Sequence, residues 1–204
     1  MRSPPPLRLG GLLFISTEFV KEVTPEILKK CIKRNRKAQY TFYKCYFPYL
    51  YAIGFRYTYS KEQTMEVVNL GFAKIMLNLK KYDQKQEIKT WMKTILVNVI
   101  IDEFRKSKSY NENIQIFDSE NLITLHQSSY TETIGDNLSE LVQKKLGQIS
   151  PITRKVFNLY AIDGYKHKEI AEMLKISEGT SFWHYSTAKK ELREYLGSEM
   201  KYSV

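Results

Sequence analysis

The residues best suited to chemistry lie between positions 80 and 108, where basic side chains surround the indole of Trp91 and the amide of Asn98. Trp91, Asn98 and Arg105 are seven residues apart, close to two helical turns, so they share one face of a predicted helix. Such a face can stack on exposed bases and bond to their edges. The basic residues that could hold phosphates around it are Lys80, Lys81, Lys85, Lys89, Lys93, Lys106 and Lys108. The alternative is that Trp91 belongs to the core and the lysines are solvated surface.

A second candidate is the segment 166–196, whose pattern predicts a helix, a tight turn and a second helix. Ile170 and Leu174 form the inner face of the first helix, and Ser177 is the predicted N-cap of the second. In DNA-binding motifs of this kind the second helix lies in the major groove. The residues predicted to face DNA are Ser177, Thr180, Phe182, Trp183, His184, Ser186, Thr187, Lys189 and Lys190. The spacing is common, however, and Trp183 suits a core or an interface equally well.

The elements that position these residues are all predicted to be helices. Thr24 and Ser150 are capping residues, each followed by proline, and they predict two helix starts. Apolar residues recur at helical spacing in two further segments, Met65, Val68, Phe72, Ile75 and Leu79 in the first and Ile88, Trp91, Ile95 and Val99 in the second. Residues 40–59 hold ten aromatic residues, which favours core packing over a stacking platform for bases. Pro48 should break or kink that helix. With no alternating strand pattern, we expect an all-α fold.

The distribution of charge divides the chain. Residues 25–108 hold 18 Lys and Arg against 7 Asp and Glu, a net of +11, whereas residues 109–137 hold no Lys or Arg and 5 Asp and Glu. Residues 138–204 return to a net of +3. The sequence therefore predicts helical domains at 25–108 and 138–197, joined by a flexible acidic linker at 109–137, with a disordered tail at 1–24 and a short tail at 198–204.

The composition of the chain limits the classes of function it can have. The net charge of +10 favours a polyanionic partner such as nucleic acid. Cys31 and Cys45 are too few for a disulfide framework or a four-cysteine zinc site and suit a reducing cytoplasm. We expect no metal, no cofactor and no membrane-spanning helix, and the proline-interrupted N-terminal run is a poor signal peptide.

Taken together, these segments resemble a bacterial RNA polymerase sigma factor of the extracytoplasmic-function (ECF) type. FPYLYAIGFRYT, MEVVNLGFAKIMLNLKKYD and IKTWMKTILVNVIIDEFRKSK are similar to sigma region 2. The block ISPITRKVFNLYAIDGYKHKEIAEMLKISEGTSFWHYSTAKKELREYL is similar to sigma region 4. The resemblance implies a protein that is not itself an enzyme and has no small-molecule substrate. It would direct RNA polymerase to promoters by recognising the minus-35 and minus-10 elements and helping to melt DNA.

The resemblance also implies partners for individual residues. Promoter DNA would contact residues 80–108, Tyr82 among them, at the minus-10 element and residues 177–190 at the minus-35 element. The flipped base would lie near the loop from Tyr82 to Lys89. The clamp helices of the largest polymerase subunit would meet Glu62, Glu66, Asn69 and Ala73, and region 4 would meet the flap of the second-largest subunit. An anti-sigma factor is a candidate partner, and the free chain would be a monomer.

This chain departs from the family pattern at several positions. Gln63, Thr64, Met65 and Glu66 replace an acidic run, Lys175 stands where glycine is common, and Ser181 stands where valine is common. Phe182 and His184 replace basic residues, which points to apolar contact with thymine methyl groups. A stand-alone helix-turn-helix regulator and a nucleic-acid enzyme are the alternatives. The basic helix argues against the first, and the lack of a carboxylate cluster argues against the second.

Overall fold

The computed structural model describes the backbone of residues 23–114 and 137–201, with side chains for 23–107 and 141–197. Eight α-helices occur in these ranges, and no strand does. The amino-terminal unit consists of α1 (Pro25–Ile32), α2 (Arg36–Thr58), α3 (Lys61–Asn78) and α4 (Ile88–Ile114). The carboxy-terminal unit consists of α5 (Asn137–Gln148), α6 (Pro151–Phe157), α7 (His167–Leu174) and α8 (Glu178–Lys201). The all-α prediction is confirmed.

The helix boundaries follow from local side-chain chemistry. The side-chain oxygens of Thr24, Asn35, Ser60 and Ser150 each accept a hydrogen bond from a backbone N–H in the first turn of the helix that follows. These oxygens satisfy donors that the helix itself leaves unpaired. The caps predicted at Thr24 and Ser150 are therefore confirmed.

The amino-terminal unit is a bundle in which α3 packs between α2 and α4. The core contains Phe42, Tyr46, Leu50, Ile53 and Tyr57 from α2, Val67, Val68 and Ile75 from α3, and Met92, Leu96, Val97 and Ile100 from α4. Gly71 permits the close approach of α3 to α4, because a Cβ atom there would lie 2.7 Å from Cδ1 of Leu96. The aromatic residues of α2 thus largely serve packing, as expected.

Three details of the amino-terminal unit differ from the expectation. α2 runs unbroken through Pro48, which lies on its exposed side, so of the two predicted effects of this proline, a break or a kink, the break is wrong. Met65 is exposed rather than part of the inner face of α3. α4 continues to Ile114, so the helix extends six residues past the predicted domain end at residue 108. The rest of the predicted linker, residues 115–136, lies outside the described residues, as do residues 1–22 and 202–204 of the two tails.

The carboxy-terminal unit is built around α8, which packs on α5, α6 and α7. Leu146, Ile149, Ala188 and Leu192 form a small apolar cluster, and Ile170 and Leu174 of α7 join the larger core. α6 continues into a π-helical turn over Asn158–Ile162 before the chain turns at Gly164, whose φ of +80° favours glycine. The predicted stop at Asp163 and Gly164 is confirmed.

Candidate nucleic-acid interface

A cleft of about 360 Å³ opens beside α4, where the last turns of α3 cross it. It is lined by Lys74, Asn78, Lys81, Trp91, Ile95 and Asn98. The structure thus brings together Lys81, Trp91 and Asn98, which the sequence singled out. Lys74 and Asn78 were missed because they belong to α3, and only the crossing of the helices brings them beside α4.

Trp91 forms the link between the cleft and the core. Its ring packs on Tyr82 with centroids 5.1 Å apart, and it is half-buried against the core. The Tyr82 hydroxyl donates a hydrogen bond of 2.7 Å to the carbonyl oxygen of Gln86, which closes the loop between α3 and α4. Trp91 therefore combines both interpretations weighed from the sequence, since one side packs on the core and another lines the cleft.

One end of the cleft carries paired charges. Asp102 accepts a hydrogen bond of 2.7 Å from the Arg105 guanidinium and lies 3.4 Å from the ammonium of Lys74. Asp102 thus pairs with these two cations. Lys106 pairs with Glu103 at 2.7 Å. Both ion pairs of Asp102 are partly exposed, so they orient the cations while leaving them available to phosphate.

The remaining predicted basic residues do not line this cleft. Lys80 is exposed, while the Lys89 ammonium lies 5.9 Å from the ring centroid of Tyr49. Lys93 is two residues from Trp91, about 200° around the helix, and points to Asp163 of the carboxy-terminal unit at 3.5 Å. The side chain of Lys108 lies outside the described residues. The lysines that line the cleft are therefore Lys74 and Lys81, and Lys93 is not one of them.

The second candidate element, α8, begins at the predicted cap. Ser177 Oγ accepts a hydrogen bond of 2.9 Å from the backbone N–H of Thr180 and is 2.8 Å from the Thr180 hydroxyl. Lys175 precedes this cap in the left-handed conformation, with φ of 53°. Both hydroxyls lie near the start of the helix, the part that meets base edges in a helix-turn-helix motif.

The outward face of α8 carries large apolar side chains. Phe182 is 55% exposed and Trp183 is 61% exposed. Ser186, Lys189 and Lys190 follow them on the exposed surface, and Thr187 is half-buried. The Lys189 ammonium lies 4.6 Å from the Tyr185 ring centroid. This face combines two exposed rings with cations about two turns further along the helix.

His184 is the exception among the predicted α8 residues. It is only 8% exposed, and its Nδ1 lies 2.8 Å from the Thr153 hydroxyl of α6. Burial lowers the pKa of His184, so the ring is neutral at pH 7. The expectation that it faces outward is corrected. At 100° per residue His184 lies about 200° from Phe182, a signal that the sequence already contained.

Comparison with known proteins decides the family. The sequence matches Sigma-70 region 2 over residues 42–110 and Sigma-70 region 4 over residues 139–192, which together span more than half of the chain. It is 24% identical to the ECF RNA polymerase sigma factor SigW of Bacillus subtilis over 186 residues, covering 83% of this chain and 97% of that protein. For the ECF sigma factor SigX of the same organism, the identity is 25% over 158 residues, covering 76% and 81%.

The chain is a sigma factor of the ECF type. Among solved structures it is similar to the sigma factor RpoE of Bartonella quintana, crystallised with the anti-sigma factor NepR. That match has a TM-score of 0.48 and 20% identity, and it covers 79% of this chain and 98% of the other. Sigma factors direct promoter-specific initiation of transcription, and in general they are not enzymes.

The sigma factor presents a third surface on α3, the α3 face, which we define as Glu62, Glu66, Asn69 and Ala73 with their apolar neighbours. All four are exposed. Met65, Leu70 and Leu77 are exposed beside them, and Leu77 is 76% exposed. Asn69 accepts a hydrogen bond of 3.4 Å from the Tyr43 hydroxyl, and Glu62 accepts one of 2.8 Å from Ser60. Apolar side chains between acidic ones form an amphipathic docking surface.

The two units of the sigma factor also pack against each other. The Asp163 side chain is 2% exposed and accepts a hydrogen bond of 2.9 Å from Arg56, in addition to the contact with Lys93. It accepts another from the Tyr57 hydroxyl, and burial is the largest cause that raises the pKa of Tyr57 well above its ordinary value. The amide of Asn158 donates a hydrogen bond of 2.8 Å to the Arg56 carbonyl. Sequence reasoning missed Asp163 and Arg56, because their partners are about a hundred residues away.

Among the described residues, no group of His, Cys, Asp and Glu is arranged to hold a metal ion. Within the same ranges, no helix has the length and apolar character needed to cross a membrane.

Proposed function

We propose that the sigma factor divides promoter recognition between the cleft beside α4 and the outward face of α8. The cleft holds an unstacked base of the minus-10 element, and α8 reads the minus-35 element in duplex form. In this division the domains act at the predicted ranges 25–108 and 138–197. The single observation that carries the proposal is the convergence of Trp91, Asn98 and Lys81 on one cleft.

The chemistry of the cleft suits a single-stranded base. A half-buried indole offers a surface for stacking, the amides of Asn98 and Asn78 can bond to base edges, and the ammonium groups of Lys74 and Lys81 can hold the flanking phosphates. Unstacking a base costs a few kcal/mol, and stacking on an aromatic side chain returns about 1–3 kcal/mol. The two terms are similar in size, so binding to polymerase supplies the remaining driving force.

The α3 face supports docking to the polymerase. Its exposed apolar side chains would be buried against the clamp helices of the largest subunit, with Glu62 and Glu66 at the edge of the contact. Region 4 would meet the flap of the second-largest subunit. We further propose that the chain acts in the cytoplasm as a monomer when free, that an anti-sigma factor restrains it, and that the polymerase supplies all catalysis.

The test is transcription by core polymerase reconstituted with the full chain on genomic fragments. Promoter-dependent transcripts are expected. Trp91→Ala should lower initiation about tenfold, since losing one stacked base is worth about 1.4 kcal/mol. Tyr40→Ala is the matched control, because Tyr40 is an exposed aromatic residue of α2 outside all three surfaces, and it should change little. Equal effects from the two substitutions would contradict the role of the cleft, and a lack of transcripts would contradict the function.

A further inference from the structure

Three aromatic rings stack in the carboxy-terminal unit and end at the outward face of α8. The His167 ring lies between Tyr160 and Phe182, with centroid distances of 4.2 and 4.0 Å and interplanar angles of 17° and 28°. Tyr160 belongs to the π-helical turn, His167 is the first residue of α7, and Phe182 lies in the first turns of α8. The orientation of Phe182 is therefore set by two other elements of the unit.

His167 also holds the neighbour of Phe182. Its Nδ1 lies 2.9 Å from the Oγ of Ser181, a hydrogen bond between two buried side chains. This contact gives a physical reason for serine at a position where the family commonly has valine, because a hydroxyl can bond to the imidazole and an isopropyl group cannot. Burial lowers the pKa of His167, so a neutral ring occupies the stack at pH 7.

The other side of Phe182 is open. More than half of its surface is exposed, although the His167 ring covers one face. An exposed phenylalanine near the start of a recognition helix has no hydrogen bond to offer a base. The apolar group that DNA presents in the major groove is the C5 methyl of thymine. Fixing the ring before binding also avoids the entropy cost of ordering it on the DNA.

We propose that His167 is a positioning residue that holds the Phe182 ring for contact with a thymine methyl group in the minus-35 element. This inference deepens the proposed function and rests on it. His167 itself is buried and touches no base. It acts through the stack and through the hydrogen bond to Ser181.

The experiment compares thymine with uracil, which differs from it at this edge by the absent methyl group. Core polymerase is reconstituted with the full chain, and a promoter is selected from a random library. Uracil then replaces each thymine of its minus-35 element in turn, and binding of the polymerase is measured. At one position or at two adjacent ones the wild-type protein should prefer thymine about fourfold, the factor for burying one methyl group.

Two substitutions separate positioning from general support. His167→Gln can still bond to Ser181 but loses the stacked ring, so the thymine preference should fall to about one. Binding to the uracil promoter should stay unchanged, because no other contact with DNA is altered. His167→Phe restores a stacked ring and should recover most of the preference. Lys168→Gln, an exposed neighbour on α7, is the matched control and should keep the full preference.

Each outcome decides the matter. Equal weakening on thymine and uracil promoters by His167→Gln, with the preference intact, would mean that His167 only stabilises the unit and would overturn the proposal. If circular dichroism shows that His167→Gln does not fold, the test falls to His167→Phe. Loss of the thymine preference in a folded His167→Phe protein would also overturn the proposal. A preference that survives in Phe182→Ala would show that another residue senses the methyl group. Absence of transcripts with the wild-type chain would instead refute the proposed function.

Discussion

The two units of this sigma factor stabilise helices of similar kind by different means. Among the described residues of the amino-terminal unit, the core is apolar except for Thr64 and the hydroxyl groups of the buried Tyr46 and Tyr57. The carboxy-terminal unit buries many more: Thr153, Arg154, Lys155, Asn158, His167, Ser181 and His184. Burying a polar group costs free energy unless the group is hydrogen-bonded. The carboxy-terminal unit therefore depends on specific bonding partners, whereas the amino-terminal unit depends mainly on apolar side chains that fill its core.

Several of those partners belong to the other unit. The Arg154 guanidinium lies 4.6 Å from the Tyr59 ring centroid, and the Lys155 ammonium lies 4.2 Å from that of Phe104. Asn158 bonds to the Arg56 carbonyl. The carboxy-terminal unit is thus partly completed by docking on the amino-terminal one. Undocking would expose four cations that the interface covers in whole or in part, Arg56, Lys93, Arg154 and Lys155.

The largest effect is expected from a cavity in the apolar unit. Leu96 is fully buried against Gly71, so Leu96→Ala should lower the free energy of unfolding by about 3 kcal/mol. Urea unfolding followed by circular dichroism measures it. Leu77→Ala on the exposed side of α3 is the control and should change stability by less than about 0.5 kcal/mol. Similar losses from the two substitutions would contradict the dependence of the amino-terminal unit on its filled apolar core.

A smaller effect is expected where the units meet. Asp163→Asn keeps the shape of the side chain but removes the charge that Arg56 and Lys93 face, and should weaken docking by about 2 kcal/mol. Because the partners belong to different units, the helical content should stay while the units separate. Energy transfer between dyes on α2 and α8 reports that separation. Asp83→Asn in the exposed loop before α4 is the control. Unchanged transfer in Asp163→Asn would contradict a docking role.

How far the sequence predicts this molecule depends on the range of each interaction. Helix starts at Thr24, Ser150 and Ser177 were predictable, because a cap and its N–H partner are three residues apart. The convergence of Trp91 and Asn98 was predictable from helical spacing, yet Lys74 needed the crossing of α3 over α4.

Three of the errors have different causes. His184 was misplaced because its residue type suggested DNA contact while its angular position on α8 pointed inward. Lys93 was placed with the other bases, although its partner Asp163 lies in the other unit and no local pattern reveals that pairing. The third case is α2, which stays helical through Pro48 because its packing against α3 outweighs the cost of one missing backbone hydrogen bond.

The smallest effect concerns Lys155 and has a sign that depends on pH. Burial, aided by Arg154, lowers the pKa of Lys155 from 10.5 to about 7. Between these pH values the unfolded chain holds a proton that the folded one lacks, so stability should rise with pH from 7 towards 10 and stay flat below 7.

Lys155→Met should remove this slope and stabilise the protein by about 1 kcal/mol at neutral pH, since methionine can occupy the site over Phe104 uncharged. Urea midpoints at pH 7 and at about pH 9.5 measure both effects. The upper limit of about pH 9.5 avoids the titration of Tyr57, because its raised pKa makes stability fall with pH above about 10. The exposed Lys144→Met is the control, and an identical slope in Lys155→Met and wild type would show that Lys155 is solvated after all.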